Sequence, residues 1–247
     1  MKSNKKTLIN VLILFLVLIP VIGYKIFTIV NYSIPDNEKE NVTEIKKTVE
    51  NIKNVHLTHK DYSGKYLTYK GINVAKITSN LTMMSTNKNS NTYKNQSNDI
   101  YLTLGTEDNE IEKFKKIKND CHFCKSTIDK IINTNNLESS SDVLNYIKEY
   151  QFSYNSSIIT SASKIKEDYI VGTYLLSNFD NIYEIMFIEG KYQGYLYSTN
   201  SKSNPDYHEY KVVIEENDTN YFIEVRTTDD SVKLEDMYDL ISTMKIE

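Results

Sequence analysis

Two residues in this chain have side chains whose type and spacing suit covalent chemistry, Cys121 and Cys124, in the run Cys121-His122-Phe123-Cys124-Lys125. A C-x-x-C pair at a helix N-terminus has its first thiol acidified by the helix dipole. In a redox role Cys121 is the nucleophile and Cys124 the resolving thiol; in a structural role the two form a local disulfide. The surroundings favour the structural role. The preceding FKKIKND reads as a polar helix, whereas a thioredoxin-like site follows a buried strand. Both cysteines also continue an apolar helical stripe, and Pro205 is the only later proline. A bridge closing about four residues adds roughly 2 kcal/mol at most in the chain-entropy account.

No other side chains complete a catalytic or metal set. His122 with the two cysteines, or His56 with His59, leaves a tetrahedral zinc site short of ligands, and His208 stands alone. There is no G-x-S-x-G, no H-E-x-x-H and no P-loop. Acidic pairs such as Glu215-Glu216 and Asp229-Asp230 fall in expected turns. No catalytic residue, metal or cofactor is therefore assigned. The twenty tyrosines offer amphipathic contact area. Tyr192, Tyr195, Tyr197, Tyr207 and Tyr210 gather around one expected hairpin and are the candidate binding face. Simple alternation between core and solvent along strands competes with that reading.

The elements that position these residues follow from periodicity. Val42, Ile45, Val49 and Ile52 recur at helical spacing and predict a helix from about residue 38 to 54, packed on its own domain. Residues 66–70 and 72–77 predict a hairpin or bent strand around Gly71, and 100–104 a strand. Residues 83–98, rich in Asn, Ser, Thr and Lys, predict a loop. Ile111, Phe114, Ile117, Cys121, Cys124, Ile128 and Ile131 make one helical stripe, unbroken or interrupted at Asn119-Asp120. Ser139–Asp142 caps a further helix. Another runs from about 160 to 176 with Ala162, Ile165, Tyr169 and Leu176 inward. The period then changes to two. Residues 182–188 with 192–197, and 210–215 with 221–226, read as hairpins. Residues 232–244 close the chain as a helix with Leu234, Met237, Leu240, Ile241 and Met244 inward. The expected domain is α+β, with an antiparallel sheet from the strands at 66–77, 100–104, 182–188, 192–197, 210–215 and 221–226, packed against helices.

What comes before this domain sets its compartment. Residues 7–30, TLINVLILFLVLIPVIGYKIFTIV, hold Asn10 and Tyr24 as the only polar side chains between Leu8 and Tyr24. About 18 helical residues span roughly 27 Å, close to the hydrocarbon thickness of a bilayer. Lys2, Lys5 and Lys6 precede the run with no acidic neighbour, which puts the N-terminus inside and the remainder outside. No small-x-small cleavage site follows, so an uncleaved signal-anchor is expected ahead of a cleaved signal. The expected order is a cytoplasmic tail at 1–6, a transmembrane signal-anchor at 7–30, a linker and juxtamembrane helix at 31–56, and one extracytoplasmic domain at 57–247.

Charge narrows the partners. Residues 1–30 hold four of the 29 basic residues and none of the 33 acidic ones, so the remainder carries 25 against 33, a net charge of −8. Such a domain is repelled by nucleic acid and by anionic lipid, and nucleic-acid binding is excluded.

The closing meander, the short helix and Met244-Lys245-Ile246, together with the early strand running into KGINVAKI, resemble the extracytoplasmic PsbP-like α/β-sandwich domains of bacterial membrane-anchored proteins. The likeness spans residues 62–247 and is one of pattern. The cysteine-bearing helical region between Glu107 and Asn135 departs from it. The resemblance implies an accessory or binding module with no catalytic residues to carry over. The expected function is a single-pass, membrane-anchored, non-catalytic binding protein with a protein partner outside the membrane. The alternative is a membrane-tethered thiol–disulfide oxidoreductase using Cys121 and Cys124.

Overall fold

The computed structural model describes residues 2–75, 80–97, 99–121, 123–154, 160–180, 182–200, 208–216, 219–228 and 232–247. Ile77, His122 and Tyr207 lie outside them. The chain runs α1 (Lys2–Tyr32), α2 (Asp36–Glu50), β1 (Lys53–Leu57), β2 (Tyr66–Tyr69), β3 (Ile72–Ala75), β4 (Thr82–Thr86), β5 (Ser90–Lys94), β6 (Ile100–Glu107), α3 (Glu110–Asp120), α4 (Lys125–Asn135), α5 (Ser140–Glu149) and α6 (Ala162–Phe179). It ends with β7 (Ile182–Gly190), β8 (Gly194–Asn200), β9 (His208–Glu216), β10 (Thr219–Thr227), α7 (Leu234–Ser242) and β11 (Lys245–Ile246).

The α+β class holds, and the sheet differs from the expected one. An eight-stranded sheet is ordered β1-β7-β8-β9-β10-β6-β5-β4, and it is mixed because β1 runs parallel to β7. The hairpin β2–β3 is not part of it; with β11 it forms a separate three-stranded sheet. Lys70 (φ 41°) and Gly71 (φ 93°) make the two-residue turn, a backbone that twists with its strands when both central residues take positive φ. Residues expected as a loop form β4 and β5. Their turn is closed by Asn87, whose Oδ1 accepts from the backbone N–H of Asn89 and Ser90 at 2.9 and 2.8 Å. Every residue of β4 is exposed, so this strand has no hydrophobic alternation to reveal it.

Period-two alternation gives the large sheet two different faces. Leu196, Met186, Val212, Ile214, Ile223, Val225, Leu102 and Leu104 point to one side, where the small sheet and α7 cover them. Ile185, Tyr195, Tyr197 and Val213 point to the other, beneath the helices. The helical cover is centred on α6, whose Ile170, Val171, Tyr174 and Leu175 are fully buried. The expected inward set on this helix was out of phase: of its four members Ile165 alone is buried. A helix surrounded by neighbours on most sides has no single apolar stripe, so periodicity does not fix its phase. Gly172 lets the chain before α2 pass close, since a Cβ there would lie 2.8 Å from Ile34.

Helix boundaries follow local chemistry. Asn109 caps α3, accepting from the N–H of Glu112 at 2.8 Å. Ser139 and Asp142 make a reciprocal capping box at α5, satisfying donors that a helix start leaves free. The apolar stripe from Ile111 to Ile131 is broken at the cysteines, with Cys121 ending α3 and Cys124 starting α4. Val42, Ile45 and Val49 of α2 are buried in the helical core. The helix expected at 38–54, within the segment 31–56 read as linker and juxtamembrane helix, is α2, and it packs on the domain together with β1.

Helix α1 continues through Pro20. Its Leu14 and the run from Leu16 to Ile22 expose large apolar side chains, whereas its C-terminal end docks on the domain. Lys166 donates to the Tyr24 hydroxyl at 3.0 Å, Phe27 meets Phe123 edge-on at 5.9 Å, and Tyr32 meets Tyr169 at 5.6 Å. Among the described residues no single helix is long and apolar enough to cross a membrane; Leu16–Tyr32 and Asp36–Glu50 meet that criterion as a pair bent by 68°. Since α2 turns its apolar stripe into the domain, the exposed apolar surface belongs to α1.

Candidate functional site

The helical and sheet layers meet at a cavity of about 240 Å³. Its floor is set by strand register. Asn220 near the start of β10 pairs with Glu215 of β9 on one side and Glu107 of β6 on the other. Phe187, Tyr195 and Val213 form an apolar wall, the two rings 5.3 Å apart and tilted by 50°. Gly194 lies at the rim, where a Cβ would fall 2.0 Å from the carbonyl oxygen of Val213. The far side is the first turn of α5, Ser139, Ser140 and Ser141, with Glu110 from the first turn of α3.

Most polar groups here are already engaged. The Ser140 N–H donates to Glu215 Oε2 at 3.2 Å, and the Ser140 hydroxyl accepts from the Glu110 N–H at 3.3 Å. The buried Glu110 carboxylate accepts from the Tyr174 hydroxyl and from Lys113 Nζ, the latter at 2.8 Å. Lys113 also reaches Glu107 at 2.7 Å, and Lys211 pairs with the other oxygen of Glu107. Burial pushes the Glu107 carboxyl up, but Lys113 and Lys211 outweigh it and hold it below the usual range. Burial likewise pulls Lys113 down, and Glu110 with Glu107 more than reverses this. Burial lifts the Tyr195 phenol, with Ser141 opposing and nearby carboxylates adding to the rise.

Asn220 is the exception. It is 1 % exposed, and neither its Oδ1 nor its Nδ2 has a hydrogen-bond partner. A buried polar group left unpaired costs about 1–3 kcal/mol, and such groups are rare in native folds. The Tyr197 hydroxyl, on the same side of the sheet, is also unpartnered. A broader hollow of about 380 Å³ lies near α7, lined by Lys60, Asp61, Asp236 and Asp239 among others. No unpartnered buried polar atom lines it among the described residues.

The residues singled out in the sequence fall elsewhere. Cys121 and Cys124 are bonded to each other, with Cα atoms 5.2 Å apart. They are 2 % and 0 % exposed and follow helix α3, not a central strand. Thiol exchange needs an accessible sulfur, and this setting buries both. Of the tyrosine cluster, Tyr195 and Tyr197 lie under the helices, while Tyr192 and Tyr210 pack on the opposite side. The Tyr192 hydroxyl accepts from the Ile246 N–H at 2.9 Å. The four described tyrosines therefore do not share a face. His56 is exposed on β1, and among the described residues no three His, Cys, Asp or Glu side chains gather as a metal site.

Sequence reasoning passed over Asn220 and Glu110. Asn220 ends a stretch expected as a turn in an Asn-rich chain, so its type carries no signal. The i, i+3 spacing of Glu107, Glu110 and Lys113 was legible as a charge pattern, but not its burial. No family model, no curated protein and no solved structure matches the chain.

Proposed function

We propose that this chain is a single-pass, membrane-anchored protein whose α+β domain lies outside the membrane and binds a partner without catalysing a reaction. The observation that carries it is α1. Its Leu14 and its Leu16–Ile22 segment are apolar and exposed on every side, a surface that water does not favour and lipid does. Lys2, Lys5 and Lys6 at its start favour an inside N-terminus. Tyr24, Phe27 and Phe123 supply the aromatic ring that suits a headgroup boundary. The likeness to PsbP-like domains belongs to this proposal, supported by the sheet-and-helix layering and the closing α7–β11.

The test is a pair of C-terminal reporter fusions. A reporter active only outside the membrane is expected to be active, and one active only in the cytoplasm silent. The reverse pattern overturns the topology. Crosslinking from intact cells followed by pull-down identifies the partner.

A further inference from the structure

Helix α1 does not hand the chain to the domain through a loose tether. Around its last two turns Thr28 and Tyr32 are buried against the domain, while Ile26, Phe27 and Val30 stay exposed on the other side. That outer side continues the apolar surface of Leu14 and Leu16–Ile22, so lipid that covers the one reaches the other. Length points the same way. About twenty helical residues cross the roughly 30 Å hydrocarbon layer, and counted from Leu8, which follows Lys5, Lys6 and Thr7, they end at Phe27.

Phe123 lies at that level. Its ring meets Phe27 edge-on at 5.9 Å and is 54 % exposed. Outside α1, the only other large apolar side chains left exposed among the described residues are Met83 and Met84, on the edge strand β4. The turn that carries Phe123 is held from two directions. Cys121 and Cys124 close it covalently and are themselves buried in the helical core. Lys166 of α6 donates to the Phe123 carbonyl at 3.4 Å and to the Tyr24 hydroxyl at 3.0 Å, which ties the turn and α1 to one helix. Lys118 and Lys125, both exposed, flank the turn along the chain. Long amine side chains reach outward to phosphate while a neighbouring aromatic ring sits deeper.

We infer that the disulfide-closed turn at Phe123 is a second membrane contact, its ring entering the outer boundary between headgroups and acyl chains beside the point where α1 leaves the bilayer. A domain held both at α1 and at this turn does not swing; it sits on the membrane with the α3–α4 junction facing the lipid. The Cys121–Cys124 bridge then has a positional task, holding Phe123 outside the core that buries both cysteines. The contact is apolar rather than ionic, because a domain with 25 basic and 33 acidic residues beyond residue 30 gains nothing overall from anionic lipid. It therefore persists on a zwitterionic bilayer. The inference rests on the membrane-anchored reading of α1, and a reporter residue within α1 separates the two.

The chain has no tryptophan, so one introduced by substitution is the only indole emitter. The full chain is placed in phosphatidylcholine nanodiscs whose acyl chains carry bromine either near the headgroup or near the bilayer centre. Phe123→Trp is expected to emit blue-shifted from an indole in water and to lose most of its emission to the headgroup-proximal bromine, with less lost to the central one. Lys125→Trp, which leaves Phe123 in place, repeats the reading in case the first substitution disturbs the turn. Met84→Trp, on β4, is expected to emit as in water and to be unquenched by both lipids. Val17→Trp, on the exposed middle of α1, reports the anchor itself and is expected to be quenched most by the central bromine. Quenching of Val17→Trp without quenching of Phe123→Trp or Lys125→Trp overturns the inference and leaves the anchor standing. In that case water-like emission marks a turn held clear of the bilayer, and blue-shifted emission marks a protein covering it. Equal quenching of Met84→Trp also overturns it, because the domain then has no fixed attitude. An unquenched Val17→Trp removes the anchored reading and the inference with it.

Discussion

Met237→Ala tests whether α7 is a structural lid on the large sheet. Met237 is 0 % exposed and sits with Leu240, Ile241 and Met244 over Val212, Ile223 and the β3 residues Ile72 and Val74. Truncating it removes a buried thioether chain and leaves a cavity that close-packed neighbours cannot fill. Such changes cost about 2–5 kcal/mol, and complete burial places this one near ~3 kcal/mol. For a domain of 150–250 residues, each kcal/mol lowers Tm by about 2–4 °C, so a fall of roughly 6–12 °C is expected. Leu234, half-buried at the start of the same helix, is the internal comparison, and Leu234→Ala is expected to lower Tm by less than half as much. Differential scanning calorimetry of the full chain in nanodiscs reads both. Equal, small shifts for the two variants would show that α7 is not part of the core.

Other consequences concern charge and the disulfide. Lys113→Met leaves Glu107 and Glu110 without their shared cation and is expected to cost about 3–5 kcal/mol near neutral pH, by urea titration. The Glu107 pKa is lowered from 4.5, so its stabilisation is present above that value and is lost as pH falls through the lower folded value. Lys113 is raised from 10.5, so its share is present below that value and is lost as pH rises through the higher folded value. The difference between parent and variant should therefore be widest between these limits and shrink on either side. Glu224 behaves oppositely: burial first, then Glu209, lift its pKa above 4.5 despite Arg226. The ionised form is thus disfavoured in the fold, and Glu224→Gln is expected to raise Tm at pH 7 with the gain vanishing at acid pH, where the carboxyl is protonated in both states. A gain that persists at acid pH would assign the effect to packing. Reducing Cys121–Cys124, three apart in sequence, should cost roughly 2 kcal/mol at most. Far-UV circular dichroism is expected to show a folded reduced protein, and global unfolding would make the bridge a staple of the fold.

Much of this architecture was fixed by local pattern. The period-two runs at β6 to β10 and the stripe Met237, Leu240, Ile241, Met244 follow from where each side chain points, which needs no partner to be known. The caps at Ser139 and Asn109 are equally local, because one side chain and the next turn's N–H groups suffice. The apolar character of α1 is a property of composition alone.

Other features depended on partners far along the chain. Strand β1 has three exposed and two half-buried residues and none that is buried, and it exists because β7, more than a hundred residues on, offers a free edge. The exclusion of β2–β3 from the large sheet was decided by β11 at the other end of the chain. The phase of α6 was set by neighbours on most of its sides. The candidate site is the extreme case. Asn220 is one amide in an Asn-rich turn until β9, β6 and the first turn of α5 close around it. Burial without a partner is a relation among segments distant in sequence, and only the folded chain brings those segments together.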